Sequence, residues 1–249
     1  MTKILVAFAM KEEFAPWRQR HRFQHALISG HPAYATTLGT IQVCVALAGA
    51  GAVDASQFED LTTQYAPSIG IVTGVAAGLK PGWRPGGMLA AQTVSNSQGD
   101  EKVSSESKLV DLAVQCGAKP AATMITLAHV ARTVAEKARL ASFGEAADME
   151  SLTLMKVWSA QGIPSLALRV ILDPVDMPMT CDFEAAMDPH GQVRITRILA
   201  QLARQPHLLP DFLRLARQSR RVLKILARFL DQFFERLDRQ NAAAAAMHH

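Results

Sequence analysis

Ser165-Leu166-Ala167-Leu168-Arg169-Val170-Ile171-Leu172-Asp173 is an almost unbroken apolar run of strand length that ends on an acid. Such a run reads as a strand buried within an α/β sheet, with Asp173 at its carboxyl end. A second stretch, Ala147-Asp148-Met149-Glu150-Ser151, sets two more acids among small residues at the start of a helix. Ligands of open α/β sheets collect at the carboxyl ends of strands. Acids placed there, near enough to meet, form a candidate site for acid-assisted bond cleavage.

Outward from these two stretches, short apolar runs alternate with helical patterns. Strand candidates lie at 3–8, 25–29, 33–38, 41–48, 69–73, 87–94, 121–126, 145–149 and 164–172. Helix candidates lie at 11–20, 52–64, 104–116, 131–142, 150–161, 182–204 with breaks, and 208–239. Alternation of this kind predicts a sheet covered by helices on both faces, a three-layer αβα sandwich. Gly39-Thr40 between two strand-like runs predicts a tight hairpin, so the twisted central sheet is expected to be mixed. Gly82 to Gly87 is a turn-rich connection. No internal repeat is visible, and no boundary precedes residue 205. The expected organisation is a catalytic domain over 1–205, a basic amphipathic helical extension over 206–240 and a tail over 241–249. The alanine-rich tail, ending in two histidines, has the composition of a cloning remnant and is set aside.

A length of 249 residues suffices for one large core, and 49% hydrophobic against 19% charged residues excludes a disordered chain. No apolar run reaches the length of a membrane span. Met1-Thr2-Lys3 leads directly into a strand pattern without a secretory signal. Cys44, Cys116 and Cys181 are odd in number and form no CxxC pair, so reduced thiols in a cytoplasmic protein are expected, with no metal site. The net charge of +4 is too small to imply nucleic-acid binding. It resides in residues 210–240, where eight Lys/Arg face four Asp/Glu. There Phe212, Leu215, Val222, Leu226, Leu230, Phe233 and Leu237 recur at three- and four-residue steps beside Arg217, Arg221, Lys224 and Arg228. Two readings stay open for 208–239: peripheral contact with the inner face of a membrane, or packing on the domain or a second subunit.

Three more segments fall into order with the two acid-bearing stretches. They are Lys3 to Phe8 followed by Ala9-Met10-Lys11-Glu12-Glu13, the glycine turn Leu47-Ala48-Gly49-Ala50-Gly51-Ala52-Val53, and Ile71-Val72-Thr73-Gly74-Val75-Ala76-Ala77-Gly78-Leu79. In this order and spacing, over roughly residues 3–175, the chain resembles the purine and uridine phosphorylase superfamily, which includes the methylthioadenosine/adenosylhomocysteine nucleosidases. Asp148 to Ser151, Arg169 to Pro174 and the basic extension from Leu208 resemble its hopanoid-associated phosphorylase branch, whose members act on the adenosyl group of adenosylhopane.

The resemblance implies a nucleoside phosphorylase-like fold and cleavage of a purine N-ribosidic bond, with adenine released from an adenosyl compound by a phosphorylase-type reaction. It implies that Asp173 hands a proton to N7 of the base and that Glu150 binds the ribose hydroxyls and favours the developing sugar cation. Met149 is then the apolar floor under the sugar. Asp148, where nucleosidases carry a glutamate, reaches ribose or only shapes its loop. Glu13 corresponds to the glutamate that orients attacking water, with Glu12 as the one-residue alternative. Gly51, Gly74, Val75 and Ala76 fall beside the ligand, and Val130 falls near the family's purine-stacking phenylalanine. Arg18 is the candidate phosphate contact, or else an exposed basic helix end; Arg169 is expected in an ion pair near Asp173. Val75 replaces a serine of the nucleosidases and Ala77 a glycine, departures that fit a bulky substrate. A homodimer or larger assembly is implied, with inorganic phosphate as co-substrate and no metal or dinucleotide. Two rivals remain: a water-using nucleosidase, and a nucleoside- or lipid-binding protein without turnover.

Overall fold

In the computed structural model the described residues are 1–51, 53–179, 183–186 and 195–246. Ala52 of the glycine turn, Cys181, the middle of the helix candidate at 182–204 and the last three residues of the tail lie outside them. Strand β1 (Thr2–Phe8) shows why the sheet is a middle layer. Its side chains point alternately to opposite faces. Ile4, Val6 and Phe8 enter one apolar cluster, while Leu5 and Ala7 enter another.

The other strands are β2 (Gln24–Ile28), β3 (His31–Leu38), β4 (Ile41–Leu47), β5 (Ile69–Gly78), β6 (Met88–Asn96), β7 (Lys102–Ser104), β8 (Lys119–Thr126), β9 (Ala146–Asp148) and β10 (Ser165–Asp173). The sheet is mixed, in the order β10-β6-β8-β9-β5-β1-β4-β3-β2, with β7 on β6. Leu38 pairs with Ile41, which makes Gly39-Thr40 the two-residue hairpin turn expected. β10 also pairs with β5, so β5, β10, β6, β8 and β9 close into a ring, and β1, β4, β3 and β2 extend from it as an open sheet. The closure matters for function. Ala77, near the end of β5, pairs with Asp173 on one side and Ala147 on the other. The two acid-bearing stretches therefore flank one strand end. Only β7 escaped the sequence reading: it is three residues long and half exposed, too short for a periodic signal.

One face is covered by α1 (Lys11–Arg18), α3 (Ser107–Gln115) and the long α8 (Leu209–Ala246); the other by α2 (Ala55–Tyr65) and α5 (Ser151–Ala160). Helices α4 (Val134–Leu140), α6 (Phe183–Ala186) and α7 (Ile195–Arg204) complete the chain. On α8, Val222, Leu226, Leu230, Phe233 and Leu237 are buried in the main core. Phe234 stacks on Trp17 with ring centroids 5.3 Å apart. Asp231 accepts hydrogen bonds from Trp17 Nε1 at 3.0 Å and Arg20 Nε at 2.5 Å, anchoring α8 to the end of α1. The stripe that a helix lying on a membrane would insert is spent on the sheet, which leaves the contact expected of 208–239 without its apolar face beyond Leu215. The opposite face exposes Arg214, Arg217, Arg220, Arg221, Lys224 and Arg228 to solvent. No helix among the described residues is long and apolar enough to cross a membrane.

Candidate active site

Each acid reaches the site for a local reason. Glu13 lies in the first turn of α1, just after β1, where its Oε2 accepts from Ala9 N–H at 3.1 Å and Met10 N–H at 3.2 Å. Its Oε1 accepts from Val75 N–H on β5 at 2.9 Å. These bonds point the carboxylate inward, and Glu13 is only 3% exposed. Glu12, by contrast, turns to solvent beside Lys11 at the cavity rim. The ambiguity between the two acids is thereby resolved in favour of Glu13 as the inward one.

Glu150 precedes α5, and its Oε1 accepts from Gly51 N–H at 3.0 Å. Gly51 has φ +62°, a backbone conformation that favours glycine, and a Cβ there would displace the end of the Met149 side chain, 2.5 Å away at Cε. Asp148 is consumed by its surroundings. It accepts from Thr126 Oγ1 at 2.8 Å, from Ser151 N–H at 3.1 Å and from Arg169 Nη2. This supports the loop-shaping alternative for Asp148.

Arg169 is not beside Asp173. Along β10 it lies four residues earlier, opposite Gly74, and its guanidinium meets the other acids. Nη2 bonds Asp148, Ser151 Oγ at 3.0 Å and Glu150 Oε2 at 3.4 Å. Gly74, with φ +145°, leaves the space this requires: a Cβ there would lie 2.7 Å from both Arg169 Nη1 and Glu13 Oε1. Three buried carboxyls thus surround one buried arginine. Burial pushes the Glu13 carboxyl up, against the pull of Arg169 and three backbone N–H groups. Burial likewise raises Glu150, to about 8, with Arg169 lowering it and Asp148 and Glu13 adding to the rise. Burial works against the Arg169 charge, but the carboxylates outweigh it and hold the guanidinium above its ordinary value.

Asp173 has a different partner. Lys137 of α4, fully buried, donates to Asp173 Oδ2, to Pro174 O at 3.1 Å and to Met177 O at 2.7 Å. Burial pushes the Asp173 carboxyl up, and the Lys137 ammonium opposes that rise.

A cavity of about 340 Å³ joins these groups. Glu12, Glu13, Asp148, Glu150 and Asp173 line it, together with Met149, Val75, Ala76, His129 and Val130. Its far wall is aliphatic and aromatic: Leu172, Met179, Ile198, Phe212, Leu215, Ala216 and Leu223. Arg18 does not line it. Helix α1 carries Arg18 to the edge strands, where it stacks 4.7 Å above the Tyr34 ring and meets His25 Nε2 at 3.2 Å. Of the two readings for Arg18, the exposed helix end is the one the structure supports. Among the described residues no group of His, Cys, Asp and Glu has the arrangement of a metal site.

A profile of the phosphorylase superfamily matches residues 3–204. The chain belongs to the phosphorylase superfamily. The family and its structural neighbours are nucleosidases and phosphorylases, enzymes that act on N-ribosidic bonds. A methylthioadenosine/adenosylhomocysteine nucleosidase from Campylobacter jejuni shares the fold at 16% identity, with a TM-score of 0.73 over 95% of this chain and 100% of the other. A futalosine hydrolase mutant from Helicobacter pylori aligns at 16% identity and TM-score 0.70, over 95% and 100% of the two chains. The nucleosidase from S. pneumoniae, solved with a transition-state inhibitor, aligns at 15% identity and TM-score 0.69, again over 95% and 100%. At such identities the likeness is one of fold. No curated protein matches the sequence. The profile stops before α8, although the structural alignments cover nearly the whole chain.

Two members of the site gave no sequence signal of their own. Lys137 is one cation in the short helix Val134-Ala135-Glu136-Lys137-Ala138-Arg139-Leu140, and only its three-residue offset from buried Leu140 hints that it turns inward. The α8 residues carry the ordinary stripe of a packed helix, which does not show that part of the stripe faces a cavity.

The cluster makes stability pH-dependent. A carboxyl whose folded pKa exceeds its unfolded value leaves the folded state best protonated, so its stabilisation is complete below the unfolded value and lost as pH rises through the folded one. For Glu150 that window runs from 4.5 to about 8. Thermal melts should therefore show a lower midpoint at pH 9 than at pH 5, and Glu150→Gln should shrink the difference. An equal drop in both proteins would remove Glu150 as the cause.

Proposed function

We propose that the chain hydrolyses the N-ribosidic bond of an adenine nucleoside whose 5′ substituent is large and apolar. The observation that carries the choice of water over phosphate is the cavity lining. Among the described residues it includes five carboxylates and neither lysine nor arginine. A phosphate dianion needs cationic forks or a nest of N–H groups, and the described lining offers it neither a lysine nor an arginine. Water suits the same place. Glu13 is fixed by three N–H bonds, and Arg169 Nη1 and Nε have no acceptor among the described residues. A water between Glu13 and Nη1 would donate to the carboxylate and accept from the guanidinium.

In the reaction the C1′–N bond breaks and its electron pair leaves with the base. Asp173 gives its proton to N7, the water oxygen bonds C1′, and Glu13 takes the water proton. Glu150 stabilises the sugar cation between these events. Desolvation by the apolar walls strengthens each of these interactions.

The apolar wall from α7 and α8 is where a 5′ group would lie. The adenosylhopane of the branch the sequence resembles, an adenosyl group on a polycyclic hydrocarbon, answers that description. Ala216→Trp tests it by filling the wall. The efficiency kcat/KM for an adenosine with a long 5′ hydrocarbon chain should fall about tenfold or more, while methylthioadenosine should be cleaved nearly as before. Equal loss on both substrates, or no loss on either, would contradict the placement.

A further inference from the structure

We propose that Lys137 is a positioning residue for the acid at the base: its ammonium grips one oxygen of Asp173 and, through the carbonyls of Pro174 and Met177, fixes the turn that follows, leaving the other oxygen to the leaving group. The inference rests on the reading of Asp173 as that acid. The geometry is specific. Lys137 is fully buried on α4, a helix otherwise remote from β10 in sequence, and its three acceptors match the three protons of an ammonium. A cation in an apolar interior is costly unless paired and hydrogen-bonded. Packing alone would be served by methionine at the same volume. What methionine would not supply is charge beside the acid and a hold on the 174–177 turn.

The consequence is a tuned proton donor. Burial favours the neutral acid, and the ammonium draws it back toward ionisation. Among the described residues, the other titratable groups that line the cavity are Glu12 and Glu13 of α1, Asp148 of β9, Glu150 before α5 and His129 between β8 and α4. Gln218 of α8, which donates to Leu172 O at 2.6 Å, is uncharged. Burial acts on Asp173 in the opposite sense to Lys137, so loss of the ammonium leaves the effect of burial less opposed.

The test is the titration of Asp173 in the full-length protein carrying ¹³C-carboxyl aspartate, with Asp173→Asn to assign the signal. In Lys137→Met the midpoint should move up by about one pH unit or more. The alkaline limb of kcat/KM for methylthioadenosine should move up with it. A midpoint or a limb that stays in place would overturn the inference, since a merely structural lysine changes rate and stability without moving either. If Lys137→Met does not fold, the double variant Lys137→Met with Asp173→Asn removes both charges and should fold with the activity of Asp173→Asn alone. A double variant that is unfolded, or slower than Asp173→Asn by tenfold, would overturn it as well. A parent protein that releases no adenine would refute the proposed function instead, and the titration would still decide the role of Lys137.

Discussion

Asp173→Asn is expected to slow base release by about 10²–10⁴-fold. Asparagine keeps the size of the side chain and an oxygen for Lys137, whose bonds to Pro174 O and Met177 O are independent of the change. It has no proton to give to N7. The loss should therefore fall on kcat, with KM changed far less, because the cavity walls and Glu150 remain in place. Steady-state kinetics at neutral pH decides the matter. A variant within a few-fold of the parent would remove Asp173 from the chemistry, and a rise in KM alone would make it a binding group.

The second large effect concerns Arg169. Replacing it by methionine removes the cation that, among the described residues, Asp148 and Glu150 contact and that lies beside Glu13. Breaking a buried ion pair from one side costs about 3–5 kcal/mol, because charge is left without compensation. The carboxyls have one escape, which is to take up protons. With Arg169 gone the pKa values of Glu13 and Glu150 rise further, so the folded state binds more protons relative to the unfolded one at neutral pH. By the same linkage, Arg169→Met should be badly destabilised at pH 8 and recover much of its stability at pH 5. Urea titrations at the two pH values check this. A variant equally stable at both would mean that the carboxyls are not held together by Arg169.

Much of the fold was legible because its signals are periodic. β1 and β10 are long apolar runs between turns, and the hairpin at Gly39-Thr40 follows from two residues. Ring closure of the sheet was not legible. It depends on β10 pairing with both β5 and β6, and no local pattern encodes a strand's second neighbour. The candidate site was legible in so far as Glu13, Glu150 and Asp173, singled out in the sequence, all line one cavity. It failed where the partner comes from elsewhere. Arg169 was expected in an ion pair near Asp173, and it does form one, but four residues along an extended strand carry it away from Asp173 to other acids. Arg169 instead meets acids 19 and 21 residues away in sequence, and Asp173 meets a lysine 36 residues away. Which of its two readings Arg18 follows was likewise not legible. A cation near the first strand in sequence is carried off by two turns of α1, onto Tyr34.

The choice between water and phosphate rests on the carboxylate lining, and product analysis tests it most directly. The protein is incubated in ¹⁸O-water with the adenosine carrying a long 5′ chain, with and without inorganic phosphate, and the sugar is examined by mass spectrometry. The account predicts adenine release at the same rate in both samples, with one ¹⁸O in a free sugar. Release that needs phosphate and yields a sugar 1-phosphate would contradict it.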